Sequence, residues 1–298
     1  MEKKNNKGLI ILIVFLVLVV IGLASIIVID KLNNSDKTND NKITENEDKK
    51  DELKEVNIKD YNDLINSVVY NSCGNINFNL FYNKYTIDNL PTDYMLEAAI
   101  LSTSSIEYDI DEDTAKELNY VGYMYDSYKK YKNENKTESG IPRTSIKTTV
   151  KKLFNKDIEI AKGTSIRFFR YISKYDAYFG RHLCGPSFTT NLYNYKAEKD
   201  GNELYIYTKI YAENYADDMD STALYDFGKL ELEKANEQEI TSISFDKSTP
   251  IEKISNDNKI GNLDIENYIK QNLDKFTTYK FTFKLIDGNY IYQKFEKM

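Results

Sequence analysis

Apolar and polar positions change their spacing along this chain, and each change predicts a different kind of element. The first regime is an unbroken apolar block. Leu9–Ile29 carries no charge, and only Gly22, Ala24 and Ser25 are small or weakly polar. At 1.5 Å per residue such a helix spans about 31 Å, the thickness of a bilayer's hydrocarbon core. A helix satisfies its own backbone polar groups, as lipid requires. A buried core helix is the alternative, but Lys3, Lys4 and Lys7 before the block and Asp30-Lys31 after it give a membrane span clean ends. Secretory signal h-regions run to about 15 residues, and this one is longer. Gly22 and Ala24 offer a small-residue pair, yet cleavage there would leave the apolar stub Ile26–Ile29. The block therefore reads as an uncleaved signal anchor. The lysines before it keep residues 1–8 in the cytoplasm and place the rest outside.

Residues 30–57 are polar and charged, with Leu32, Ile43 and Leu53 as the large apolar residues in Asp30–Glu55. Such a segment buries too little to offset the entropy of ordering and reads as a disordered tether.

From residue 58 to 298 the pattern predicts a folded exterior domain. Tyr61, Leu64, Ile65, Val68 and Val69 share one helical face, and Cys73-Gly74 closes that helix. Ile76, Phe78, Leu80 and Tyr82 alternate loosely and predict a strand within Asn75–Ile87. Pro91-Thr92 opens a helix, Tyr94–Leu101, that is apolar around most of its circumference. Thr114 and Glu117 fit a capping box, with Leu118, Val121, Tyr125 and Tyr128 continuing at helical spacing. Asn133–Gly140 reads as a polar loop, and Ile146, Val150, Leu153 and Phe154 as a helix after Pro142.

Beyond Asp157 the period falls to two. Ile166–Ile172, Tyr175–His182, Phe188–Glu198 and Glu203–Tyr211 read as strands, the last two joined by a turn at Asp200-Gly201. Leu224–Leu232 and Ile240–Phe245 are weaker strands. Asn262–Phe276 returns to helix, and a hairpin ends the chain: Tyr279–Ile286, Asp287-Gly288, Tyr290–Glu296. No strand–helix–strand alternation calls for a parallel sheet, so the fold class is α+β, helices packed on a mainly antiparallel sheet. Two cores split near residue 155 are the alternative to one.

Composition narrows the function. The formal net charge is −7. Lys3, Lys4 and Lys7 against Glu2 leave the first 29 residues at +2 and the remainder at −9. An acidic exterior excludes nucleic acid as a partner and disfavours anionic lipid surfaces. The chain has 25 Tyr and no Trp. Its Lys, Asn, Asp, Ile and Tyr bias is that of an AT-rich bacterial genome, so single tyrosines carry little meaning. The plan of anchor, tether and exterior domain has a general likeness to envelope proteins of Gram-positive-type bacteria.

Candidate chemistry is sparse. Cys73 and Cys184 both fall in the exterior part, where two thiols invite one disulfide. Closing a loop of about 110 residues stabilises by up to ~4.7 kcal/mol in the chain-entropy model. Unpaired buried thiols are the alternative. Arg181-His182-Leu183-Cys184-Gly185 holds the chain's one histidine, and a thiolate beside an imidazole is a catalytic pairing. No third member or oxyanion signature surrounds it. Asp109, Asp111 and Asp113 have the first three spacings of a calcium loop, but its sixth position is Thr114 and its twelfth Tyr120. Asp217, Asp218 and Asp220 form a second acidic turn. One histidine and two distant cysteines cannot build an ordinary zinc site. No phosphate loop, nucleotide fingerprint, serine elbow or metalloprotease motif is present, and no cofactor is expected. On the hairpins, Leu204, Ile206 and Ile210 point one way and Tyr205, Tyr207 and Tyr211 the other. Tyr290 and Tyr292 add to the aromatic total, and Phe281, Phe283 and Leu285 share a face.

The expectation is a non-enzymatic binding module of the bacterial envelope. The membrane, through Leu9–Ile29, and an envelope protein or small ligand are its partners. The alternative is a cysteine-dependent enzyme using Cys184 and His182.

Overall fold

The computed structural model describes residues 53–118, 136–164, 166–180, 188–215, 221–234, 240–245, 248–255 and 265–298. The expected span and nearly all of the tether lie outside them. Among the described residues no helix is long and apolar enough to cross a membrane.

Strand β1 (Lys54–Val56) leads into a 3₁₀ turn, Ile58–Tyr61, whose Lys59 N–H donates to the Asn57 side chain. Helix α1 (Asn62–Val69) buries Ile65, Val68 and Val69, the face the sequence predicts. The expected strand in Asn75–Ile87 is instead a one-turn helix, α2 (Phe78–Tyr82). Asn77 explains the difference. Its side chain accepts from the Asn79 N–H and starts a helix, which seats Phe78, Leu80 and Phe81 in the core without strand pairing. Helix α3 (Thr92–Leu101) begins after Pro91 and is buried from Tyr94 to Ile100.

Strand β2 (Ile106–Asp109) precedes α4 (Glu112–Leu118). Here the expected capping box is displaced. Thr114 lies inside the helix, and Asp111 caps it, accepting from the Thr114 N–H at 2.8 Å. Val121, Tyr125 and Tyr128 lie outside the described residues. The expected loop Asn133–Gly140 runs into a strand, β3 (Thr137–Pro142), drawn into extended form by partners on both edges. Helix α5 (Arg143–Phe154) follows at once and buries Ile146, Val150, Leu153 and Phe154. Strands β4 (Phe169–Ile172) and β5 (Ala177–Gly180) complete a four-stranded antiparallel sheet in the order β2-β3-β5-β4.

The larger sheet is built on a long hairpin, β6 (Phe188–Asp200) and β7 (Glu203–Tyr215). Its two-residue loop is Gly201-Asn202, one position later than the sequence suggests, and Gly201 takes the left-handed φ of 55°. Next come β8 (Ser221–Asp226), a 3₁₀ turn at Phe227–Lys229, the hairpin pair β9 (Glu231–Lys234) and β10 (Ile240–Ser244), and β11 (Glu252–Ser255). Helix α6 (Ile265–Gln271) then leads to the terminal hairpin, β12 (Thr278–Ile286) and β13 (Asn289–Lys297).

The large sheet runs β1-β6-β7-β12-β13, with β8 and β11 attached beyond β7. Strand β7 forks. Its residues 203–209 pair with β12, while 211–215 pair with β8. Two buried charged residues hold the crotch of that fork. Lys209 Nζ donates to the Phe276 carbonyl at 2.8 Å and to Thr278 Oγ1 at 2.6 Å. Asp226 accepts from the Thr277 N–H at 3.1 Å and its hydroxyl at 2.8 Å. Burial pulls the Lys209 ammonium below its ordinary pKa.

The helices α1, α2, α3 and α5 cover one face of this sheet, where Leu204, Ile206, Ile210, Phe281 and Phe283 are fully buried. That core cluster draws side chains from Ile65 to Tyr292, on both sides of residue 155. On the opposite face, Tyr211 and Leu224 are buried with Ile269 of α6 and with Phe276. The fold is a mixed arrangement of helices and antiparallel sheets, α+β as expected.

Candidate functional site

The terminal hairpin β12–β13 ends in a cavity on either side. At its turn end, a cleft of about 780 Å³ lies between α5 and Ile286–Asn289. The chain reverses here through Asp287 and Gly288, both at positive φ. Helical spacing brings Arg143, Lys147 and Lys151 to the cleft. Each already has an acidic partner. Lys147 meets Glu159 at 2.9 Å, and Lys151 meets Asp157 at 2.8 Å. Arg143 grips Asp176 with two N–H groups, at 2.7 and 3.0 Å, and gives a third to the Ile160 carbonyl. That guanidinium, helped by the Tyr171 hydroxyl, lowers the Asp176 carboxyl from 3.8 to about 2. Three of the four cations that line the larger cavity are thus matched, and Lys152 is the fourth.

At the open end the hairpin faces α2 and the 3₁₀ turn after β8. A pocket of about 460 Å³ forms there. Its wall is aromatic. Phe81 lies 5.3 Å from Phe227, 5.4 Å from Tyr279 and 4.9 Å from Phe295, centroid to centroid, with the first two pairs edge to face. Four rings from four separate parts of the chain meet because α2 is one turn long and drops Phe81 onto the open end of the hairpin. The helix stops at Asn83, and Tyr85 N–H returns to the Leu80 carbonyl at 3.1 Å. That return puts Lys84 in the left-handed region, φ 51°, at the position where helices prefer glycine. A side chain there costs about 1 kcal/mol. The lysine so placed stands exposed at the pocket mouth beside Tyr82.

The opposite lip is Gly228, Glu296 and Lys297. A Cβ on Gly228 would collide with the Thr277 side chain, so this wall approaches the fork as only glycine allows. Lys297 Nζ donates to the Gly228 carbonyl at 2.6 Å. Glu296 is occupied by Lys294 at 3.0 Å. Lys84 has no ion-pair partner among the described residues. Burial raises the Tyr279 phenol above its ordinary pKa, aided by Asp226, so the wall stays neutral across physiological pH. The lining holds no histidine, no cysteine and no pair of facing carboxylates.

Among the described residues, none of the candidates that the sequence singles out lines this pocket. Cys73 sits in a turn fixed by asparagines: its N–H donates to Asn71 Oδ1 at 2.9 Å, and Asn75 Oδ1 accepts from the Thr190 N–H of β6 at 2.7 Å. Cys73 is disulfide-bonded. His182 and Cys184 lie outside the described residues, as do Asp217, Asp218 and Asp220. Asp111 caps α4 and binds Lys174 at 2.6 Å, which together with Thr114 holds its carboxyl well below the usual range. Asp113 belongs to the same helix. Among the described residues no group of three or more His, Cys, Asp or Glu side chains is placed to hold a metal.

The expected tyrosyl face is smaller than the pattern suggests. Tyr211 is buried under α6, and Tyr292 is fully buried on the inner side, its hydroxyl on the Tyr85 carbonyl at 2.6 Å. Tyr205 and Tyr207 do face outward, but each is covered by a lysine: Lys280 Nζ lies 3.9 Å from the first ring and Lys196 Nζ 5.2 Å from the second. Tyr205 donates to Glu203, which pushes its phenol up to about 12.

None of Phe81, Lys84, Phe227, Phe295 or Lys297 carries a sequence signal for this pocket. Phe81 and Phe227 fall inside segments that read as strands, and Phe295 inside the expected hairpin. Comparison with family models, curated proteins and solved structures finds no match for the chain.

Proposed function

We propose that this chain is a membrane-anchored, extracytoplasmic binding module of the bacterial cell envelope, non-enzymatic, which takes its ligand in the aromatic pocket at the open end of the terminal hairpin. The observation that carries this reading is the composition of the pocket. Four rings form its wall and ammonium groups stand at its mouth, an arrangement that retains a ligand but offers no nucleophile with a base. Leu9–Ile29 supplies the anchor, and residues 30–57 the reach.

The disulfide at Cys73 supports an oxidising location. The chain's other cysteine is Cys184. Its position six residues before Thr190, which is bonded to the Cys73 turn, makes it the partner in this proposal. A paired Cys184 has no thiolate to give, which weighs against the cysteine-enzyme alternative with His182 as base.

The test is crosslinking in living cells. A photoreactive residue at Tyr82, on the pocket rim, should trap a defined adduct that the same residue at exposed Ile106 does not. Equal adducts from both positions, or none from Tyr82, would count against the binding reading. Intact mass after alkylation checks the disulfide: alkyl groups should add only after reduction.

A further inference from the structure

We infer that the open-end pocket selects a small planar, apolar ligand bearing one negative group, a bicyclic aromatic carboxylate being the simplest example. This deepens the binding reading above and rests on it.

The body of the ligand follows from the wall. The cavity is about 460 Å³, within the range of small-molecule pockets, roughly 300–1,000 Å³. Phe81, Phe227 and Tyr279 are buried against one another and reach the cavity with only part of their surface, beside half-buried Phe295, in mixed tilts. Such rings receive another flat ring edge-to-face or offset more readily than a branched aliphatic chain.

The charge follows from the mouth. Of the three ionisable groups at the lips, Glu296 is already engaged by Lys294 of its own strand. Lys297 is oriented by the Gly228 carbonyl, which leaves two of its ammonium protons free to donate. Neither Lys84 nor Lys297 has an acidic partner among the described residues, and Lys84 is held at the mouth by a backbone conformation that disfavours a side chain. A cationic mouth on a chain of net charge −7 marks one spot for an anion. The turn-end cleft is larger, but three of its four cations are already matched by Asp157, Glu159 and Asp176, which leaves Lys152.

The chain has no tryptophan, so Tyr82→Trp puts a single indole at the pocket rim of the full-length protein. The detergent-solubilised reporter is titrated with 2-naphthoate and with 2-naphthalenemethanol, the same body without charge. Saturable quenching is expected from both, at least fivefold tighter for naphthoate. Adding Lys84→Gly should bring the two within twofold while leaving the melting temperature unchanged or higher, because glycine fits the left-handed position.

Three results overturn the inference. Equal affinities in the reporter protein remove the anion while keeping the pocket as a binding site. A Lys84→Gly effect that weakens both ligands alike makes Lys84 structural. No saturable quenching by either ligand takes the binding reading down as well.

Discussion

The two ends of the terminal hairpin present cavities of opposite character. The turn-end cleft is the larger and the more charged, yet its charges are mostly spent: every cation of α5 that reaches it except Lys152 has its carboxylate. The open-end pocket is smaller, walled by rings, and keeps a lysine in reserve. Volume and charge count would rank the two one way, and residual bonding capacity ranks them the other. Matched surface ion pairs hold local geometry and contribute little else. An exposed cation at the rim of an aromatic wall keeps bonding capacity for a partner, which is what a recognition site requires.

Substitutions break this contrast in order of expected size. Phe81→Ala removes the ring on which the aromatic end converges and should cost about 3–5 kcal/mol, read from the urea midpoint. A loss below about 1 kcal/mol would mean that the rings merely adjoin. Gly228→Ala forces the lip off Thr277 and should cost about 1–3 kcal/mol in the same measurement. At the turn end, Asp176→Asn breaks the fork with Arg143. Its side chain is 39% exposed, so the effect is on the order of 1 kcal/mol at neutral pH. Its pH dependence is more specific. The folded carboxyl titrates at about 2 against 3.8 ordinarily, so its contribution is complete above pH 4 and lost as pH falls towards 2. Melting curves across that window should therefore fall less steeply for the Asn variant than for the parent. Lys147→Ala should change stability by less than about 0.5 kcal/mol, its partner Glu159 being largely exposed. A value well above that would show the turn-end cleft to be less closed than its pairing implies.

How much of this was legible beforehand divides by range. Elements with one clear period read correctly: α1, α3, α5 and both Asp/Gly-turn hairpins follow from apolar spacing and turn residues. The misreadings have separate causes. In Asn75–Ile87, an apolar residue every second position resembled a strand, but a capping asparagine decided the matter locally. In Asn133–Gly140 polar composition predicted a loop, but neighbours on both edges imposed a strand from Thr137. Thr114 had the right sequence for a cap, and Asp111 took the position first. The pocket was illegible altogether. Phe81, Phe227, Tyr279 and Phe295 share no motif, and nothing in a string of letters announces that they meet. Lys84 carries a signal only once its φ is known. Alternation placed Tyr205 and Tyr211 on one face correctly; α6 covers the second and the Lys280 ammonium lies over the first.

The fork in β7 sets a schedule for making the protein. Synthesis runs from the N-terminus, and β7 is finished at Tyr215. The strand that fills half of its second edge, β12, starts at Thr278, about sixty residues later. At roughly 5–20 residues per second, that edge stays open for several seconds of elongation. An open strand edge is a template for pairing with other chains. Strand β12 therefore completes the interior of the sheet long after β7 is made, β13 forms the edge beyond it, and a chain that stops at Phe276 has a bare centre.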